Sequence, residues 1–101
     1  MIAKMTEAEL AGAVSRLHGW SVREGRFLAR SFEFEDAITA IGFVVRVAMR
    51  AEVMGHHPEL HILYGKVDLL LTTHDAGGVT DLDLALARQI DACVSLRPVD
   101  S

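Results

Sequence analysis

Two pairs of strand-like segments alternate with three helix-like segments along this 101-residue chain, and this order limits the folds available to it. Glu24-Gly25-Arg26 interrupts the first pair and Gly65 the second, so each pair predicts a β-hairpin. The strand-like segments are residues 20–23, 27–34, 60–64 and 66–73. The order αββαββα predicts an α+β domain of two layers, in which a four-stranded antiparallel sheet carries three helices on one face.

Polar residues mark the beginnings of the first and third helices. Thr6 is followed three residues later by Glu9, and Thr80 by Asp83, which is the spacing of side chains that cap free N–H groups. Thr80 and Asp83 are therefore interpreted as capping residues. The first helix is predicted to end near His18. The apolar side of the third helix consists of Leu82, Leu86, Ile90 and residues 92–94.

The second helix, residues 35–55, contains a conflict with ordinary helix chemistry. Its predicted buried stripe consists of Ile38, Ile41, Val45 and Ala48. Continuing that stripe leads to Glu52, a carboxylate where an apolar residue is expected and where the negative end of the helix dipole lies. His56 follows four residues later and can pair with Glu52. The dipole also favours a protonated imidazole, so His56 suits a proton donor.

Two further histidines can reach the same end of this helix. Pro58 biases His57 away from helical backbone, so the rings of His56 and His57 are expected to diverge. His74 ends the fourth strand, beside a loop that contains Asp75, and the returning hairpin can bring it near His57. The sequence thus predicts a histidine site for acid–base chemistry at the end of the second helix.

Other kinds of site find less support, although a metal site is a competing hypothesis. His57 and His61 have the short spacing of some zinc ligands, but an extended segment after Pro58 would hold them too far apart for one ion. No metal ligand is therefore assigned. His18 and His61 are interpreted as solvated or capping residues. Cys93 lies among apolar residues of the third helix and is interpreted as a core residue.

Composition and charge restrict the partners and location of the protein. The formal net charge is −4 and the basic residues are scattered, which disfavours direct nucleic-acid binding. Charges at Arg46, Arg50 and Glu52 interrupt the longest apolar helical stretch, so no membrane insertion is predicted. The lone Cys93 and the lack of a signal-peptide pattern favour a cytoplasmic protein. We expect a single domain, residues 1–101, and its small size makes self-association reasonable.

A longer pattern surrounds the histidines and covers nearly the whole chain. It contains Glu52-x-x-x-His56-His57-Pro58, Tyr64, Lys66-Val67, Thr73-His74 and Asp83. Upstream it contains Gly19-Trp20, Glu24-Gly25-Arg26, Phe32-x-Phe34, Gly42-Phe43 and Arg46-Val47-Ala48. This pattern resembles the pterin-4a-carbinolamine dehydratase family. The resemblance implies dehydration of a 4a-hydroxytetrahydropterin to quinonoid dihydropterin and water, in the recycling of the pterin cofactor of aromatic amino-acid hydroxylases.

The same resemblance implies a role for each residue of the site. His56 and His74 would be the acid/base residues, His57 would hold the pterin, and Glu52 would orient the histidine pair. The remaining residues that would line the site are Pro58, Thr73, Asp75 and Ala76. The resemblance also implies that the enzyme uses no metal or organic cofactor and assembles as a homodimer or homotetramer.

Two positions depart from the family pattern. Gly55 replaces a residue that is often acidic, and Leu60 replaces one that is often aromatic, which predicts weaker pterin binding. His56, His57 and His74 are all retained, which argues against this chain being one of the noncatalytic members of the family. A noncatalytic dimerisation, assembly or coactivator module of the same fold is the alternative hypothesis.

Overall fold

The computed structural model describes residues 2–95 and contains the predicted elements in the predicted order, which confirms the α+β fold. They are α1 (Glu7–Val14), β1 (Ser21–Arg23), β2 (Phe27–Glu33), α2 (Ala37–Met54), β3 (Glu59–Leu63), β4 (Lys66–Leu71) and α3 (Asp81–Ser95). A short 3-10 helix, His74–Ala76, lies between β4 and α3. No helix within the described range is long and apolar enough to cross a lipid bilayer.

The four strands form one antiparallel sheet in the order β1-β2-β4-β3. Both predicted hairpins are therefore confirmed, and β2 and β4 form the centre of the sheet. The side chains that point toward the helices alternate with those on the open face. The buried members on the helix side are Leu28, Phe32, Val67, Leu69 and Leu71. Because β4 is central, its C-terminal end carries residues 72–74 to the middle of one end of the sheet.

The face of α2 that packs on the sheet is not the predicted one. Ala40, Phe43, Val47 and Ala51 are fully buried. The predicted stripe was wrong, because Ile38, Ile41, Val45 and Ala48 are exposed to solvent. Both faces of the helix are apolar, so periodicity alone does not choose between them. The choice follows from packing: small residues let α2 approach the sheet, and the Phe43 ring lies 4.9 Å from Phe32 and 5.0 Å from Phe34.

The helix ends are set by local hydrogen bonds. The capping box of α1 is confirmed, since Glu9 N–H donates to Thr6 Oγ1 at 3.1 Å and Thr6 N–H to Glu9 Oε1 at 2.9 Å. That helix ends at Val14, earlier than predicted, because the following residues form tighter turns. Asp36 caps α2 by accepting the Thr39 N–H at 2.8 Å, and this hydrogen bond lowers the pKa of Asp36.

Candidate active site

Three segments meet at one end of the sheet: the turn after α2, the loop after β4 and the first turn of α3. They surround a cavity of about 370 Å³. Its lining consists of Gly55, His56, His57, Thr72, Thr73, His74, Asp75 and Leu82. The three histidines predicted from the sequence therefore line one cavity, although they come from two separate parts of the chain.

The end of α2 separates the two adjacent histidines. Gly55 has φ 66°, a left-handed conformation that favours glycine, and the N–H groups of Gly55 and His56 both bond back to the last turn of the helix. After this cap the His56 side chain is 12% exposed, whereas that of His57 is 61% exposed. Gly55, one of the two departures from the family pattern, thus has a structural reason in the helix cap.

His56 contacts a buried carboxylate of the third helix. Its Nε2 atom lies 2.6 Å from Oδ1 of Asp83, whose side chain is fully buried. The second carboxylate oxygen accepts the Thr80 N–H at 2.9 Å and the Thr73 hydroxyl at 2.8 Å. Buried carboxylates require donors of this kind. An ionised Asp83 can only accept, so His56 Nε2 is then the donor, and Nδ1 is the ring nitrogen left for a substrate.

Asp83 is the residue that sequence reasoning underestimated. Its capping role is confirmed by the bond from Thr80 N–H, but the same carboxylate also binds His56, 27 positions away in the sequence. The signal was present in the family pattern, which includes Asp83. The capping role predicted from the spacing was correct, but it omitted the contact with His56.

The loop after β4 is shaped by Thr73. The N–H of this residue donates to Gly78 O at 2.9 Å, and its carbonyl accepts the N–H groups of Ala76 and Gly77, both at 3.0 Å. His74 begins the 3-10 helix and is exposed, with Asp75 next to it on the cavity wall. Ala76, predicted to line the site, lies in the same turn but outside the cavity lining.

Glu52 does not pair with His56, so that prediction was wrong. Glu52 Oε1 lies 2.7 Å from His57 Nε2, and the Glu52 side chain is 80% exposed rather than partly buried. The reason is twofold: Glu52 continues the solvent face of α2, and the left-handed turn at Gly55 directs His56 inward. A contact this exposed contributes about 0–1 kcal/mol to stability.

A second cavity of about 290 Å³ adjoins the first. His57, Thr72 and His74 line both cavities, while the second extends to Pro58, Glu59 and Leu70. Since Glu59 and Leu70 are direct cross-strand partners in β3 and β4, this cavity reaches the open face of the sheet.

A metal site and a cysteine nucleophile are the other kinds of site considered for the described residues. Within residues 2–95, no three His, Cys, Asp or Glu side chains are grouped as a metal site requires. Cys93 is a fully buried core residue, as predicted. Burial raises the pKa of the Cys93 thiol, and the positive charges of Arg50 and Arg46 oppose this rise. A raised pKa disfavours the thiolate form that a nucleophile needs.

Comparison with known proteins gives the family. The sequence model of the protein family described as pterin 4 alpha carbinolamine dehydratase matches residues 3–93. A protein of Paraburkholderia xenovorans (strain LB400), named provisionally as a pterin-4-alpha-carbinolamine dehydratase, is 46% identical over 93 residues, which cover 91% of this chain and 97% of that one. A protein of Rhodopseudomonas palustris (strain BisB18) with the same provisional name is 47% identical, with coverage of 91% and 92%. This chain belongs to the pterin-4a-carbinolamine dehydratase family.

Two solved structures share the fold. The crystal structure of a transcriptional coactivator/pterin dehydratase from Brucella melitensis superposes with a TM-score of 0.86 at 43% identity, over 89% of this chain and 97% of that chain. A pterin dehydratase-like protein described as a RuBisCO assembly factor in the alpha-carboxysome superposes with a TM-score of 0.66 at 22% identity, over 79% and 94%. The second similarity concerns the fold alone.

Proposed function

We propose that this protein dehydrates a 4a-hydroxytetrahydropterin to quinonoid dihydropterin and water by histidine acid/base catalysis. The observation that carries the proposal is the convergence of His56, His57 and His74 on one cavity, with His56 held by the buried Asp83. Family membership supports the substrate class.

The reaction needs two proton transfers. The C4a–O bond breaks as the leaving hydroxyl gains a proton, and the ring nitrogen N5 loses a proton as the C4a=N5 double bond forms. One histidine must therefore donate and another accept, and imidazoles can do both near neutral pH. We assign these two roles to His56 and His74. His56 reaches the cavity from the turn after α2, and His74 from the loop after β4.

The remaining residues hold the reactants. His57, oriented by Glu52 at 2.7 Å, binds the pterin beside the acid/base pair. Thr73 and Asp83 fix His56, since both belong to the same hydrogen-bond network. Thr73, Asp75 and Pro58 supply cavity walls. One histidine gives a proton to the leaving hydroxyl and the other takes the N5 proton, so the two transfers balance.

The direct test is the rate of dehydration of freshly generated 4a-hydroxytetrahydropterin. The protein should accelerate loss of the absorbance of this intermediate, and His56→Ala should reduce kcat by about 10²–10⁴-fold. His61→Ala is the matched control, because His61 is an exposed histidine that lines neither cavity. A wild-type rate equal to the spontaneous rate would refute the proposal.

We also propose that the chain forms homodimers or homotetramers through the solvent face of α2. Five large apolar side chains are exposed there at spacings of three or four residues: Ile38, Ile41, Val45, Met49 and Val53. An apolar stripe of this kind marks an interaction surface more often than a bare monomer surface. Val45→Glu should dissociate the assembly in sedimentation equilibrium, whereas Ala11→Glu, on the exposed side of α1, should not. A monomeric wild-type chain would contradict this proposal.

The same stripe favours a second candidate function, a noncatalytic assembly or coactivator module. The names of the two structural relatives include such roles for those proteins. A His57→Ala, His74→Ala double variant separates the two functions. Full cellular function of the double variant, together with a stable protein partner lost on Val45→Glu, would favour the module over the enzyme. Cytoplasmic location and the absence of nucleic-acid binding stay predictions from the sequence.

A further inference from the structure

The segment that precedes α1 lies against the loop between β4 and α3. Residues 4–6 form this segment, here called the N-terminal strap. The Met5 N–H donates to Val79 O at 2.8 Å, and the Lys4 side chain lies over Gly78. We propose that the strap is a positioning element for the dehydration reaction, because it holds the loop to which both acid/base histidines are connected. This inference rests on the proposed function and concerns residues outside the lining of both cavities.

The strap is anchored to the rest of the protein through α1. Thr6 is the N-cap of that helix and completes the capping box with Glu9. The Met5 side chain is partly buried and packs against the core cluster that includes Leu10. Met5 precedes the N-cap and Leu10 is the fourth residue of the helix, positions at which apolar side chains often fix how the chain enters a helix. The strap therefore gives the loop a support that the sheet does not provide.

Gly78 shows how closely the strap approaches the loop. This residue is buried, and its φ lies outside the left-handed region, so its backbone does not require glycine. A methyl group at this position would lie 3.2 Å from Lys4 Cδ and 3.4 Å from Lys4 Cβ. Both distances are shorter than the usual separation of about 3.5–4.0 Å between carbon atoms in contact. The absent side chain therefore leaves the space that the strap occupies.

Two hydrogen bonds connect Gly78 to the residue before His74. The Thr73 N–H donates to Gly78 O at 2.9 Å, and the Gly78 N–H donates to Thr73 O at 3.4 Å, as in an antiparallel bridge. His74 follows Thr73 directly and begins the 3-10 helix. A displacement of Gly78 should therefore move the backbone that carries the His74 side chain to the cavity.

Val79 connects the strap to His56 by a second route. Val79 is buried and directly precedes Thr80, whose N–H donates to one oxygen of Asp83 at 2.9 Å. The other oxygen of this carboxylate lies 2.6 Å from His56 Nε2. The hydrogen bond between Met5 and Val79 thus lies one residue from a group that orients Asp83. Loss of this bond should affect both acid/base histidines together.

The test removes the Met5 N–H by Met5→Pro. We expect kcat for dehydration to fall about tenfold, which corresponds to the loss of one hydrogen bond, while KM stays within about twofold because the strap lines neither cavity. The imidazole NMR signals of His56 and His74 should shift as well, and this readout requires no turnover. The matched control is Ala3→Pro, because the exposed Ala3 donates no backbone hydrogen bond to any described residue. It should leave kcat and both signals unchanged.

A loss of stability alone is controlled by Gly65→Ala. The new methyl group meets Phe34 O at the turn between β3 and β4, which lies at the opposite end of the sheet from the cavities. This variant should unfold at a lower urea concentration but keep the wild-type kcat and imidazole signals. A Met5→Pro protein with the wild-type kcat and unshifted signals would overturn the inference. An equal fall of kcat in Gly65→Ala would do the same.

Gly78→Ala gives a second test, which decides the matter if Met5→Pro does not fold. The methyl group should displace Lys4 from the loop and lower kcat, and Lys4→Gly in the same chain should restore kcat by removing the side chain that the methyl group meets. A wild-type kcat in Gly78→Ala, or no recovery in the double variant, contradicts the inference. If the wild type does not accelerate dehydration, the proposed function fails, and the imidazole signals of these variants still decide whether the strap positions the histidines.

Discussion

Replacing Asp83 by asparagine tests whether the Asp83 carboxylate positions the His56 ring. The substitution keeps the size of a fully buried side chain that has three donors around it. An amide oxygen can still accept from Thr80 and Thr73, but its NH₂ group then faces His56. Two donors would meet unless His56 Nε2 becomes an acceptor, which moves the ring proton to Nδ1.

The cost of the substitution follows from the hydrogen bond that it removes between His56 and the carboxylate. A buried hydrogen bond to a charged group is worth about 1.5–3 kcal/mol. The loss of this hydrogen bond should raise the activation free energy by the same amount, because the bond holds His56 in its reactive tautomer. The kcat should therefore fall by about 10- to 150-fold, since about 1.4 kcal/mol corresponds to a factor of ten. The free energy of unfolding should fall by a similar amount, about 1.5–3 kcal/mol, in urea titrations.

The assay compares Asp83→Asn with Asp81→Asn. Asp81 is an exposed residue in the same first turn of α3, so its substitution removes the same charge from the same helix end. Dehydration kinetics across pH, together with nitrogen NMR shifts of the imidazoles, should show a lower kcat and a changed His56 tautomer only in Asp83→Asn. A folded Asp83→Asn protein with the kcat and pH profile of Asp81→Asn would refute the positioning role.

Three further outcomes follow from other contacts. Glu52→Gln should change stability by at most about 1 kcal/mol, because its contact with His57 is exposed, and should raise KM more than it lowers kcat. Asp36→Asn should remove stability that the wild type has above the unfolded pKa of 3.8, and this difference should vanish as pH falls through the lower folded pKa, in urea titrations. Gly65→Ala places a methyl group 2.4 Å from a backbone carbonyl oxygen and should cost about 1–3 kcal/mol. Gly12→Ala, whose new methyl meets nothing within 4 Å, should stabilise α1, and equal effects of the two changes on thermal melting would contradict the packing argument.

Local sequence signals predicted the elements well because they depend on neighbours in the chain. The capping box of Thr6 and Glu9 and the hairpin turn at Gly65 involve groups only a few residues apart. The orientation of α2 was not predictable in this way. Both of its faces are apolar, and the buried one was chosen by the fit of Phe43 against aromatic rings of β2 and the residue that follows it.

The site shows the same division. Local spacing together with the family pattern led to His56, His57 and His74, and all three line one cavity. The carboxylate partners of His56 and His57 were not predicted correctly. Glu52 was expected at His56, and Asp83 was interpreted only as a capping residue. Glu52 pairs with His57 because the left-handed turn at Gly55 redirects the chain, and His56 meets Asp83 because α3 packs beside α2.

The sequence by itself determined the αββαββα order, the helix caps and the set of histidines, since periodicity, capping and residue chemistry are local properties. Tertiary structure decided which face of α2 is buried, which carboxylate holds each histidine and which residues share a cavity. These outcomes depend on contacts between segments far apart in the chain. Asp83 joins both levels: its bond to Thr80 follows from a spacing of three residues, but its bond to His56 exists only because two helices meet.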